Sequence, residues 1–103
     1  MTENRIPYGR PFILTGPIGR RRATRTNKVI ALPSKDGLVT IIKKTLGNSL
    51  VQFDIDPKLV MEQGDEYVIY NPPEKFTDCR QYLTPNNYTQ ILTQLGKPYK
   101  SRK

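Results

Sequence analysis

The chain has 103 residues, 17 Lys and Arg against 9 Asp and Glu for a formal net charge of +8, no His and a single Cys. That length fits one domain whose compact part, once the Pro- and Gly-rich basic ends are set aside, is about 65 to 70 residues, a small core for an independent fold. The lone Cys79 excludes an intramolecular disulfide framework, and the missing His removes zinc-finger spacing and the commonest general base.

Residues 1–26 read as a basic arm in which Pro7, Pro11 and Pro17 alternate with Gly9, Gly16 and Gly19, a pattern that favours extended or polyproline-like backbone. Within it Pro11, Phe12, Ile13 and Leu14 are apolar enough to dock as a short edge strand. The compact domain is expected over residues 27–96 and a basic tail over 97–103. NKVIAL (27–32) is the first strand of that domain, PSKDG (33–37) a turn, and LVTIIKK (38–44) a second, β-branched strand. TLGN breaks the run, with Gly47 and Asn48 suited to positive φ. SLVQFDI (49–55) then sets Leu50, Gln52 and Asp54 against Val51, Phe53 and Ile55, which predicts one buried face. Asp56 caps a short helix with Pro57 in its first turn, running to Gln63 and stopped by Gly64. EYVIY (66–70) is another strand, closed by Asn71, Pro72 and Pro73. The last element is an amphipathic helix with Thr84 as cap, Pro85 in its first turn, and Tyr88, Ile91, Leu92 and Leu95 at helical spacing before Gly96 and Pro98. The fold class is α+β or mostly β: a small antiparallel sheet or barrel with a carboxy-terminal amphipathic helix and a basic amino-terminal arm.

Charge is segregated along the chain. Residues 1–35 hold eight Lys and Arg against Glu3, a net of +7; residues 45–79 hold two against seven acids, a net of −5; residues 80–103 hold five and no acid. A surface that needed only solubility would mix its signs, whereas separated charge creates a field that draws a polyanion. The run TGPIGRRRATRTNK (15–28) carries Arg20, Arg21, Arg22, Arg25 and Lys28 without an acid, and its Thr24, Thr26 and Asn27 add donors suited to phosphate. Arg10 joins it from the arm, and Lys100, Arg102 and Lys103 from the tail.

Catalytic patterns are weaker. GPIGRRR lacks P-loop spacing. Asp54 and Asp56 share a strand face and, with Asp65 and Glu66, have the residue types of a Mg²⁺ site, but no motif makes them converge, and each has a plain reading as cap, turn or solvent-facing residue. Cys79 has no His to activate it and reads as a buried, inert thiol. No enzyme activity, cofactor or metal is expected. The longest apolar runs are too short for a bilayer, and no signal-like apolar region opens the chain, so an intracellular, reducing location in cytoplasm or nucleoid is expected.

Residues 39–70, VTIIKKTLGNSLVQFDIDPKLVMEQGDEYVIY, resemble the AbrB/SpoVT/MazE swapped-hairpin DNA-binding family in the order of Gly47-Asn48-Ser49, Pro57-Lys58 and Gly64-Asp65-Glu66. The resemblance implies two chains exchanging hairpins to form a dimeric β-barrel, with Lys44 and Lys43, just before the GNS turn, facing DNA. Two spacings depart from that pattern: 49–57 is longer and 57–64 shorter than the family shows, and Thr45 stands where a second basic residue is expected. The expected function is nucleic-acid binding without catalysis, DNA before RNA, by a small transcriptional regulator that forms a homodimer. A structural nucleoprotein component of a ribosome or virion, and an adaptor for an acidic protein, are the other classes open to such a sequence.

Overall fold

A computed structural model of the chain describes residues 6–16, 25–64, 66–69 and 76–97. Seven strands form one sheet: β1 (Phe12–Gly16), β2 (Arg25–Pro33), β3 (Val39–Lys44), β4 (Leu50–Ile55), β5 (Val60–Gln63), β6 (Glu66–Ile69) and β7 (Thr77–Asp78), followed by the helix α1 (Pro85–Gly96). Their order is β5-β6-β1-β2-β3-β4-β7. Every neighbouring pair is antiparallel except β1 and β6, which run parallel through Leu14↔Tyr67 and Thr15↔Val68. The molecule is thus a small α+β fold with a mixed sheet and a carboxy-terminal helix.

Two buried clusters, one on each face, hold the sheet. The first contains Phe12, Leu14, Val29, Ala31, Val39, Ile41, Phe53, Ile55, Val60 and Ile69, with Ile6 closing on it. Val60 lies near one end of the strand order and Phe53 and Ile55 near the other, so the sheet must curl to bring them together. Two ring pairs close this side: Phe12 meets Tyr67 edge-on at 5.0 Å, and Phe53 stacks on Phe76 at 5.3 Å. The second cluster, Ile30, Ile42, Leu50, Cys79 and Leu95, is covered by α1 through half-buried Tyr88, Ile91 and Leu92. The helix forms where its signals predict. Thr84 Oγ1 accepts from the Asn87 N–H at 3.2 Å, Pro85 occupies the first turn, and Leu95 is the residue its stripe buries most deeply. Tyr88 ties the helix to the sheet, its hydroxyl accepting from the Leu50 N–H at 2.9 Å.

Three expectations give way. Residues 12–14 form no edge strand: β1 lies between β6 and β2, with Leu14 fully buried, because paired strands on both sides and apolar side chains on one face leave it no solvent edge. On β4 both faces are engaged, since Leu50 and Gln52 are buried on the helix side while Phe53 and Ile55 are buried on the other. The helix expected from Asp56 is a single 3-10 turn, Pro57–Leu59, in which Asp56 caps the Lys58 N–H at 2.9 Å. β-branched Val60 then enters β5 opposite Ile69, where burial outweighs the helical signal. No helix among the described residues is long and apolar enough to cross a membrane.

Leu95→Ala is expected to cost about 2 to 5 kcal/mol and half-buried Leu92→Ala less, both read from denaturant midpoints. Gly16→Ala should destabilise as well, since φ is 134° there and an added Cβ would stand 2.7 Å from the Ile69 carbonyl oxygen, where β1 and β6 run side by side. An unchanged midpoint for Leu95→Ala would show that α1 contributes little to the core.

Candidate nucleic-acid interface

The strand directions decide where the charges go. β1 ends at Gly16 and β2 begins at its register partner Arg25, so the basic residues 17–24, outside the described set, join these strands at one end of the sheet. β3 runs back toward that end and finishes at Lys43 and Lys44, opposite Val51 and Leu50 of β4. α1 finishes there too: the Lys28 ammonium, on β2, donates to the carbonyl of Lys97, the helix C-cap. A cation at that position also meets the negative end of the helix dipole. One end of the sheet therefore carries Arg25, Lys28, Lys43, Lys44 and Lys97, together with the attachment points of both basic runs. Arg20, Arg21 and Arg22 of the first run, and Lys100, Arg102 and Lys103 of the second, lie outside the described residues, as does the side chain of Arg25.

Arg10 does not join them. It is exposed in a turn at the opposite end of β1, fixed by the Gly9 N–H donating to the Ala31 carbonyl at 3.0 Å. Lys43 and Lys44, adjacent on a strand, point to opposite faces. The Lys43 ammonium lies 5.1 Å from the centre of the Phe76 ring, a cation–π contact on the curled face. Lys44 is half-buried on the helix face, as Lys28 is. Asn27, a phosphate donor by its sequence position, instead has its Nδ2 buried with no hydrogen-bond partner.

Three of the acids make local structural bonds. Asp56 caps its turn, and Asp54 Oδ1 accepts from the Thr40 hydroxyl at 2.6 Å. Asp78, which does lie toward the basic end opposite Val51, accepts from the Arg80 N–H at 2.8 Å. Among the described residues no three His, Cys, Asp or Glu side chains gather to hold a metal ion.

One surface residue escapes a reading of the sequence. Leu46 stands fully exposed on the β3–β4 turn, between Lys44 and the Gly47–Asn48 corner. The turn is firmly built: the Thr45 N–H donates to the Ser49 carbonyl at 2.8 Å, the Asn48 N–H to the Thr45 carbonyl at 3.1 Å, and the Ser49 N–H to Thr45 Oγ1 at 3.2 Å. Positive φ falls on Asn48, at 63°, while Gly47 has none. TLGN announces a turn, but only the turn's geometry shows that its apolar member faces outward.

Cys79 is fully buried beneath α1, as its lack of an activating partner suggested. Desolvation, with a smaller push from the Asp78 carboxylate, raises its thiol to about 12 from an ordinary value of 9.0. The folded state thus holds the proton that the unfolded state loses above pH 9, so this contribution to stability is full below that pH and declines as pH rises from about 9 to about 12. A disulfide-exchange reagent should label Cys79 only after unfolding, and labelling of the native protein at the rate of a free thiol would contradict the burial. Lys28→Met should lower stability by about 0.3 to 1 kcal/mol through its lost bond at the helix terminus, a loss that a purely phosphate-facing lysine would not show. No family model, curated protein or solved structure matches the chain.

Proposed function

We propose that the protein binds nucleic acid without catalysis, as a small DNA-binding regulator that lays its basic end against phosphates. The observation that carries this reading is convergence. Two basic runs far apart in sequence leave the fold side by side, from the Gly16–Arg25 pair and from Lys97, with Lys28 joining the two points. A cationic surface gathered in this way releases counterions from a polyanion, and that release supplies most sequence-independent affinity. Being anchored in the sheet at both Gly16 and Arg25, residues 17–24 lose less freedom on binding than a free tail would. Leu46 fits beside them as an apolar wedge of the kind that enters between base steps. The resemblance of residues 39–70 to the swapped-hairpin family adds a homodimer to the proposal, and duplex DNA as the favoured target over RNA. Cytoplasm or nucleoid is the location such a role requires.

Replacing Arg20, Arg21 and Arg22 together by Ala should leave the thermal midpoint nearly unchanged, since exposed charges add little stability. The log–log salt slope for duplex DNA should become shallower by about 2 to 3. An unchanged slope and affinity would remove the role of this run. The wild-type salt series separates the classes: a regulator keeps a preference for one duplex sequence as salt rises, while a structural nucleoprotein releases all targets together. An adaptor for an acidic protein binds none of them. A strictly monomeric chain at high micromolar concentration in sedimentation would contradict the swapped-hairpin dimer.

A further inference from the structure

On the helix side of the sheet, next to Leu83 and just ahead of the Thr84 cap, a cavity of about 570 Å³ opens over β3 and β4. This volume falls within the range of small-molecule sites, about 300 to 1,000 Å³. The cavity lies toward the 33–37 turn, at the end of the sheet opposite the basic one. Its floor is apolar, from Leu32 and Ile42. Into it comes Gln52, the only polar or charged residue among the described ones to be so buried, with 8% of its surface exposed. As a lining residue, its carboxamide is placed to offer a donor and an acceptor to a molecule in the cavity.

Two residues along the same face of β4 stands Asp54, roughly 6.6 to 6.8 Å further on. Its Oδ1 is held by the Thr40 hydroxyl, which orients the carboxylate and leaves the second oxygen as an acceptor. Tyr82, 62% exposed, stands at the rim with a ring free to stack. The site thus offers an adjacent donor and acceptor, a second acceptor beyond them, an apolar floor and an aromatic edge. Lys35, Asp36 and Asp54 all line the cavity, so two negative charges against one positive disfavour an anionic ligand.

We propose that this cavity binds a neutral nucleobase or nucleoside with an exocyclic amino group, read by the Gln52 carboxamide and the free oxygen of Asp54. A ring nitrogen beside an amino group, as in adenine or cytosine, returns both hydrogen bonds of a carboxamide. The second amino hydrogen is then directed to Asp54. Phosphorylated forms are disfavoured by the two carboxylates, and bases without an amino group leave Asp54 unanswered. This site is independent of the phosphate-binding proposal, being at the other end of the fold, and it is tested where that proposal is silent.

The experiment is a titration of the full-length, ¹⁵N-labelled protein with adenosine, cytidine, uridine and adenosine monophosphate, at salt high enough to suppress phosphate binding. Saturable shifts are expected at the Gln52 side-chain amide, Thr40 and Tyr82, with uridine and the monophosphate each weaker than adenosine. Gln52→Leu should weaken adenosine about fivefold to tenfold, the loss of one or two hydrogen bonds, while the protein stays folded. If that variant does not fold, Asp54→Asn supplies the same reading: adenosine weakens and uridine does not. No saturable shift up to about tenfold above the millimolar range typical of weak ligands, uridine or the monophosphate binding as tightly as adenosine, or a folded Gln52→Leu that binds unchanged would each overturn the proposal.

Discussion

Ile41 and Ile42 stand next to each other on β3, point to opposite faces and are both fully buried, so the centre of the sheet has to be covered on both sides. A chain of 103 residues has little material for two layers. It covers one face by curling the sheet on itself, bringing Val60 to Phe53 and Ile55, and the other with one short helix. Because the helix is short, its placement is consequential. Seated over Ile30, Ile42 and Leu50 by Leu95 and by the Tyr88–Leu50 bond, α1 ends beside the start of β2 and begins beside Leu83. The first of these positions puts Lys97 within reach of Lys28, and the second leaves the cavity over Gln52 uncovered.

Elements whose signals are local were legible in the sequence. Thr84, Pro85 and the stripe ending at Leu95 announced α1, and the β-branched run before Lys43 announced β3. The turn at Asn48 and the cap at Asp56 were legible for the same reason, since each is settled within a few residues. What escaped is decided by neighbours distant in sequence. β1 is interior only because β6 returns to lie parallel with it, and Val60 is in a strand only because Ile69 is across from it. Nothing local to Gln52 announces that only 8% of its surface stays exposed.

The site shows the same division. That residues 15–28 are basic is plain in the sequence, but that they return to the end of the sheet where the tail departs depends on the Gly16↔Arg25 pairing and on the helix. Individual residues within the basic set also have contacts or positions that the sequence does not announce. Lys28 serves a helix terminus and Lys43 an aromatic ring, while Arg10 belongs to the other end of the fold. The two ends of the sheet thereby differ in chemistry. One concentrates cations and an exposed Leu46; the other brings Asp36 and Asp54 to a hollow floored by Leu32 and Ile42.

The central claim, that the nucleic-acid interface is the basic end of the sheet, is tested most directly by mapping backbone amide shifts as a short duplex is added to the intact protein. The account predicts changes at Gly16, Arg25, the turn from Lys44 to Asn48, and Lys97, with little change at Gly9, Arg10 or Lys35. Changes confined to that second group, or none at any amide while the duplex binds no other surface, would contradict it.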